Sequence, residues 1–260
     1  MIGIDFGFGA LEGELWRVIF AMTRIGAALL AAPFFGAASV PMQLRVAVTG
    51  AVAVMVCAWT PLQAPPAMLS FAGLITLAGE VLIGLALGFV LQIIFAAPVM
   101  AAEVISGTMG LSMARAVDPA TGEGSTALGQ YFSVVLALIF LTLGGHLHWL
   151  SLVIDSYQVF PPGETWLGTD KIEQILGFTG EMFATAIAIA LPVTFVLLVV
   201  QLLTGVLSRS APSLNLFALG LPAGVLAGIA ALIAALPLVT GQLMELSRTA
   251  VEHSASLLVR

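Results

Sequence analysis

Residues 69–113 read LSFAGLITLAGEVLIGLALGFVLQIIFAAPVMAAEVISGTMGLSM, one long apolar helical pattern with Pro98 inside it. The pattern runs into Ile105–Arg115, a segment of small and flexible residues. Hydrocarbon supplies no hydrogen-bond partners, so irregular backbone at membrane depth must be buried in protein or face an aqueous path. The stretch therefore predicts a long helix that Pro98 kinks or divides, followed by a candidate gate.

The composition of the whole chain is that of a membrane protein. Of its 260 residues, 60% are hydrophobic and only 8% are charged, and the mean hydropathy is +1.12. Several stretches between charges exceed the roughly 20 residues that a spanning helix needs: Arg45 to Glu80, Glu123 to Asp155, Glu181 to Arg209 and Arg209 to Glu245. We therefore predict an all-α integral membrane protein.

The charges give no orientation in the membrane. The net charge is −6, and the eight Lys and Arg residues are scattered instead of clustered at helix ends, as the positive-inside rule requires. Two interpretations remain open: partner proteins cover the helices after insertion, or the chain is a small acidic membrane protein whose charges give only a weak signal for orientation. Before Trp16 the chain carries Asp5, Glu12 and Glu14 and no basic residue, so the positive start of a cleavable signal is missing and we expect the first apolar helix to remain in the mature protein. Cys57, the single cysteine, is expected to be a small buried hydrophobe.

The apolar runs and breakers organise residues 1–260 as one predicted domain of kinked helical hairpins. Long loops are predicted near 61–67, 106–125 and 155–172, and residues 242–260 form an amphipathic C-terminal segment. The predicted helices are Leu15–Gly36, Gln43–Thr60, Leu69–Met113, Ala127–Trp149, Phe178–Leu207 with Pro192, and Leu216–Leu238 with Pro222 and Pro237.

Two stripes of small residues recur at every fourth position and so lie on single helix faces. One contains Glu80, Gly84, Gly88 and Gln92, and the other contains Gly220, Gly224 and Gly228. Such stripes are typical of close helix packing. A pore-lining role for Glu80 and Gln92 is the alternative.

Ionisable groups at apolar positions need a partner or water, because an unpaired charge in hydrocarbon costs roughly 3 kcal/mol. In a transporter they would bind substrate or protons, and in a subunit of an assembly they would pair across interfaces. The residues for which we predict buried polar roles or pairing between subunits are Arg17, Arg24, Glu80, Gln92, Glu103, Glu181 and Arg209.

The residues that could form a catalytic or metal site lack the partners that such a site needs. His146 and His148 lie on different helix faces without a third ligand, which argues against zinc. Ser106, Ser112 and Ser208 have no general base at a suggestive spacing, and no phosphate loop occurs. We therefore expect no enzymatic activity, no metal and no cofactor.

The candidate gate combines flexible side chains with a flexible backbone. Met109 and Met113 are able to re-pack around an irregular opening, while Gly107 and Gly110 allow the backbone to bend. The alternative is an ordinary interhelical loop with two core methionines. The predicted gate residues are Gly107, Met109, Gly110, Leu111, Ser112, Met113, Asp118 and Pro119.

The order of motifs along nearly the whole chain resembles the FliR family of flagellar protein-export components. Each motif alone is weak, but their order and spacing together are specific. The motifs are Arg24 with Ala32–Gly36, Val40-Pro41, Leu44-Arg45, Gly79-Glu80, Ile83-Gly84, Leu87-Gly88, Ala102–Ile105, Met109–Ser112, Val117–Pro119, Gly145–Leu147, Asp155, Pro162-Gly163, Ala190–Pro192, Arg209–Pro212, Asn215 and Gly220–Pro222.

The resemblance implies a non-enzymatic structural subunit of the type III export gate in the bacterial inner membrane, at the flagellar basal body. Members of that family join FliP and FliQ around a central channel, dock near FlhB and pass unfolded polypeptides. They bind neither nucleic acid nor a small-molecule substrate. In such a subunit the segment from about Gly107 to Asp118 corresponds to a plug loop that closes the channel. Arg115 and Glu123 match no family motif.

A second hypothesis is an ion- or proton-coupled transporter of small solutes. In it Pro98 and Pro192 would mark discontinuous helices, and Glu103 and Glu181 would coordinate ions. A transporter should act as a monomer or homo-oligomer, whereas a gate subunit should purify together with other apolar proteins.

Overall fold

The computed structural model describes residues 10–37, 39–60, 62, 70–111, 126–162, 168–210 and 216–259. For residues 10–12, 216–219 and 221 it describes the backbone alone. Ser112, Met113, Asp118 and Pro119 of the predicted gate lie outside the described residues.

Within the described ranges every regular element is an α-helix, which confirms the predicted all-α class. The helices are α1 (Ala10–Ala31), α2 (Met42–Trp59), α3 (Phe71–Thr108), α4 (Ala127–Thr142), α5 (Gly145–Val159), α6 (Thr169–Ser210) and α7 (Leu216–Ser256). Among the described residues four helices are long and apolar enough to cross a membrane, namely α2, α3, α6 and most of α7. Helices α4 and α5 add a fifth if they are counted as one broken span.

Several helix boundaries differ from the sequence prediction, since α1 ends at Ala31 instead of near Gly36 and α6 begins at Thr169 instead of near Phe178. Helix α3 continues through Pro98 as one helix, as the long pattern over Leu69–Met113 predicted, and Ala97 and Ala101 beside the proline are fully buried. The helix predicted over Ala127–Trp149 is interrupted at Gly144, which has a left-handed φ of 72°. The loop predicted from residue 155 begins later, since α5 extends to Val159.

The chain divides into two compact units, each assembled from separate stretches of sequence. Unit 1 comprises residues 1–94, 144–178 and 249–260, and unit 2 comprises residues 95–143 and 179–248. Helices α3, α6 and α7 each contribute to both units. The single domain predicted from sequence stays a prediction, and the two units are described separately below.

In unit 1, two glycines allow α3 to approach the backbone of α1. A Cβ atom at Gly84 would overlap the carbonyl oxygen of Arg24, and one at Gly88 would lie 2.5 Å from the carbonyl oxygen of Ala28. The added atom at Gly88 would also lie 2.6 Å from the Cβ of Ala31. Only glycine fits at these positions, as in close helix pairs within membranes.

Unit 1 also buries an ion pair between the same two helices. The guanidinium of Arg24, which is fully buried, donates from Nε and Nη2 to the two carboxylate oxygens of Glu80 at 2.7 and 2.9 Å. Its remaining bonds reach α5: Nη1 donates to Ser156 Oγ at 3.1 Å and Nη2 to the carbonyl oxygen of Phe160 at 2.8 Å. Arg24 thus joins α1, α3 and the end of α5.

The ring of Tyr157 completes this cluster. It lies 4.2 Å from the Arg24 guanidinium carbon, in the geometry of a cation–π contact. Its hydroxyl donates to the carbonyl oxygen of Ala21 at 2.7 Å, so α5 is bound to α1 at a second point. Trp149 ties α5 to α3 by donating from Nε1 to the carbonyl oxygen of Leu87 at 3.2 Å.

Gly88→Ala should destabilise unit 1 by about 1–3 kcal/mol, because backbone atoms of α1 have to move away from the new methyl group. Gly79→Ala in the same helix is the matched control, since no atom lies within 4 Å of the added carbon. Thermal unfolding of the purified protein, followed by size-exclusion chromatography, measures both. Equal midpoints for the two variants would contradict the packing role of Gly88.

Glu80→Gln should cost about 3–5 kcal/mol, because it leaves the buried Arg24 without a countercharge. Arg24→Met combined with Glu80→Leu should recover most of that loss, since the pair is then replaced by apolar side chains. Glu14→Gln, which breaks the exposed Arg17–Glu14 pair, should cost less than about 1 kcal/mol. A double variant as unstable as Glu80→Gln would contradict the explanation by unpaired charge.

Candidate functional site

The candidate site lies in unit 2, where α3 ends before residues 112–125. Gly110 adopts a left-handed φ of 85°. Its amide donates to the carbonyl oxygen of Gly107 at 3.1 Å, and the amide of Leu111 donates to that of Ser106 at 3.0 Å. These two bonds form a Schellman motif, which satisfies carbonyl groups that a helix end otherwise leaves without partners.

A side chain from α6 satisfies the next carbonyl. Gln201 Nε2 donates to the carbonyl oxygen of Thr108 at 2.7 Å, and the carbonyl oxygen of Ile105 accepts from the amide of Met109 at 2.9 Å. The last four carbonyl groups of α3 therefore all have partners. Beside this contact is an open cavity of about 300 Å³, lined by Thr108, Leu191, Thr194, Phe195, Leu198 and Gln201.

The side chain of Met109 packs on α7. It is 5% exposed, and an ideal Cβ at Gly228 would lie 2.6 to 2.8 Å from its Cγ, Cε and Sδ atoms. The carbonyl oxygen of Met109 lies 3.3 Å from the corresponding position at Gly224. The two glycines thus form a shallow notch, and Met109 occupies it.

The far end of the segment is tied back to α3 by a carboxylate. Glu103 Oε1 accepts the backbone N–H of Thr126 at 2.7 Å. Thr126 is the N-cap residue of α4, and its hydroxyl accepts the amide of Gly129 at 3.1 Å. A negative group at a helix N-terminus is favourable because of the helix dipole. Residues 109 and 126 therefore both have fixed positions within unit 2.

The predicted gate residues within the described ranges have different environments. Gly107 and Leu111 are exposed, Gly110 is half-buried and Met109 is buried. Ser106, which precedes them, is buried, and its hydroxyl has no hydrogen-bond partner among the described residues. The gate residues within the described ranges thus lie at the end of a helix, with Met109 as the one that is buried.

Of the predicted charged and polar residues, Arg17 serves the backbone of unit 1. Its Nε donates to the carbonyl oxygen of Leu62 at 2.9 Å and its Nη2 to that of Cys57 at 3.2 Å, which satisfies a carbonyl near the end of α2. Its Nη1 pairs with Glu14 at 2.7 Å. Arg24 and Glu80 form the buried cluster already described.

The remaining predicted positions are more exposed. Gln92, Glu181 and Arg209 lie on exposed helix surface. Gly220 has no atom within 4 Å of an added Cβ, unlike Gly224 and Gly228 on the same face. The roles predicted for these residues between subunits stay predictions.

Sequence reasoning missed Gln201, Ser156 and Tyr157. All three contribute single hydrogen-bonding groups within apolar helices, and no motif marks which carbonyl or guanidinium each one reaches. Their polarity alone could have marked them as sites of interaction, because a polar residue inside an apolar helix needs a hydrogen-bond partner. Among the described residues no group of three His, Cys, Asp or Glu side chains is placed to hold a metal ion.

Comparisons with known proteins agree with this membrane architecture. A family model described as "Bacterial export proteins, family 1" matches residues 15–250. The flagellar biosynthetic protein FliR of Escherichia coli (strain K12) is 32% identical over 218 residues, which is 84% of this chain and 83% of that protein. FliR of Bacillus subtilis (strain 168) is 30% identical over 203 residues, or 76% and 78% of the two chains.

A relative from a second system matches a shorter part. The surface presentation of antigens protein SpaR of Shigella flexneri is 32% identical over 142 residues, 55% of each chain. The resemblance seen in the motifs is thereby confirmed. The chain belongs to the FliR family of bacterial export proteins and is an integral membrane component of a type III export apparatus.

Proposed function

We propose that this chain is a non-enzymatic structural subunit of the export gate, assembled with FliP-like and FliQ-like subunits and close to an FlhB-like subunit. The assembly passes unfolded flagellar proteins across the bacterial inner membrane. The segment from about Gly107 to Asp118 is its plug loop, which closes the channel until a substrate polypeptide arrives. The chain needs no cofactor for this role, because displacement of a loop involves no covalent chemistry.

The observation that carries this proposal is the extent of exposed apolar surface on α6. Beyond the exposed Glu181, large apolar side chains are exposed from Phe183 to Leu207, a rise of about 36 Å along the helix. The hydrocarbon core of a bilayer is only about 30 Å thick. Lipid alone would cover this length only if the helix were tilted by about 35°, near the upper end of the usual range. Protein partners that cover part of α6 remove this mismatch.

Helix α7 and helix α2 support the same interpretation. Only a small share of the most apolar window of each is buried within the chain, 11% for α7 and 17% for α2. Leu226 and Ile233 of α7 and Trp59 at the end of α2 are among the most exposed apolar side chains. A chain that leaves so much of its helices uncovered is suited to packing against neighbouring subunits.

The ends of the proposed plug support its assignment. Met109 packs against Gly224 and Gly228 of α7, and the amide of Thr126 is bound by Glu103, so the segment proposed as the plug starts and ends at defined contacts within unit 2. A tethered segment is able to be displaced and to return to the same place. This is the property that resealing after each substrate requires.

The transporter hypothesis loses its two structural supports. Helices α3 and α6 continue through Pro98 and Pro192, so neither is the discontinuous helix that this hypothesis requires. The carboxylate of Glu103 accepts a backbone N–H of α4, which gives it a local structural role.

Assembly is tested by purification. A tagged copy of the chain, extracted from the membrane in mild detergent, should carry other apolar membrane proteins in fixed stoichiometry, because its exposed helices need protein partners. The chain alone, reconstituted in liposomes, should move no ions or small solutes. Mass measurement of the complex and flux assays give the two results. Solute transport by the isolated chain would contradict the proposal.

The plug is tested by replacing residues 112–118 with a Gly/Ser linker of equal length. The assembled complex should form in normal yield, while the membrane becomes leaky to ions and small solutes because the channel has lost its stopper. Dye and ion uptake by cells measure the leak. Replacement of the five residues 163–167 by a Gly/Ser linker of their own length is the control and should leave permeability unchanged. Normal permeability in the 112–118 variant would show that the plug assignment is wrong.

A further inference from the structure

The contacts that Thr108 and Met109 make with α6 and α7 at the last turn of α3 carry no charge. We propose that Met109, seated in the notch of Gly224 and Gly228, is a detachable latch that holds this turn in the closed gate. For the gate to open, the side chain has to leave the notch. This inference rests on the proposed plug, because it assigns to the plug the anchor that controls its release.

The geometry of the notch supports a latch instead of a permanent core contact. Three side-chain atoms of Met109 lie where a Cβ at Gly228 would be, so the fit depends on the absence of any side chain there. The occupant is the flexible, unbranched end of a methionine, which is able to withdraw by rotation about its side-chain bonds. Neither charge nor a hydrogen bond of the side chain holds it in place.

The second attachment of the same turn has the same character. Gln201 donates one neutral hydrogen bond to the carbonyl oxygen of Thr108, and a neutral bond of this kind contributes little net stability. Gln201 lies on exposed surface beside the open cavity. Release of the turn thus breaks no ion pair, in contrast to the Arg24–Glu80 cluster of unit 1.

A reversible covalent lock tests the latch. An ideal Cβ at Gly228 lies 2.6 Å from Met109 Cγ, so the two β-carbons are at most about 4 Å apart after one carbon–carbon bond is added. That separation suits a disulfide, whose β-carbons are usually about 3.5–4.5 Å apart. Met109→Cys and Gly228→Cys are introduced together in a Cys57→Ala background, and the disulfide is formed by mild oxidation of assembled complexes in membranes.

The expected result is that the disulfide forms nearly completely, stops secretion of export substrates and leaves the membrane tight. Reduction should restore secretion. Each single-cysteine variant, oxidised in the same way, should continue to export. A failure to form the disulfide would show that Met109 does not occupy the notch in the assembly. Undiminished secretion through the locked complex would show that withdrawal of Met109 is not needed. Either outcome overturns the proposal.

Alanine variants provide a second measurement that does not depend on oxidation. Gly228→Ala should increase the ion leak, because the new methyl group displaces Met109, whereas Gly220→Ala should not, since no atom lies within 4 Å of its added carbon. The double variant Met109→Ala with Gly228→Ala should leak no more than the leakier single variant, because both changes break one contact. Strictly additive leaks, or no leak in Gly228→Ala, would overturn the latch.

The two proposals fail separately. If the 112–118 replacement leaks but the locked complex exports, the plug stands and the latch is wrong. If the replacement does not leak, the plug itself is wrong, whatever the disulfide does.

Discussion

Polar groups inside these helices have to find partners within the protein, because hydrocarbon provides none. The fully buried guanidinium of Arg24 shows how far this requirement shapes the chain. It uses both oxygens of Glu80, a hydroxyl and a backbone carbonyl, and so draws three helices of unit 1 together. Glycines at 84 and 88 then bring the backbones of α1 and α3 close enough to complete the arrangement.

The same requirement acts at the end of α3, but with neutral groups. A Schellman motif and Gln201 satisfy the final carbonyl groups, and Met109 fills the notch at Gly228. Breaking a buried ion pair leaves an uncompensated charge, whereas releasing a neutral hydrogen bond or a methionine does not. The buried ion pair therefore lies in unit 1, whereas the contacts of Met109 and Gln201 at the start of the proposed plug carry no charge. This difference matches a subunit with a permanent framework and one element that moves.

Much of the fold followed from the sequence because apolar length and helix breakers act locally. The all-α class and the approximate positions of the helices were predictable, while the break at Gly144 was not. At Gly144 a left-handed backbone conformation ends a helix inside an apolar run. The need of Arg24 in unit 1 and of Glu103 in the candidate site for partners was predictable, and Glu80 was among the residues predicted to pair. Ser156 and Thr126, which also bind these two side chains, are distant in sequence and belong to no motif, so only the folded structure identifies them.

A gate that is tight at rest and still opens for an unfolded chain needs a closed state of limited stability. An ion pair at position 109 would seal the channel but would resist opening, since separating it exposes charge to an apolar wall. A branched or aromatic side chain would need a deeper notch and would leave it less readily. In the proposed gate, methionine against glycine gives close contact with a flexible side chain and no charge, so we expect a closed state that is specific in shape and easy to leave. The strong cluster at Arg24 makes this possible, because stability held elsewhere in the chain need not come from the moving part.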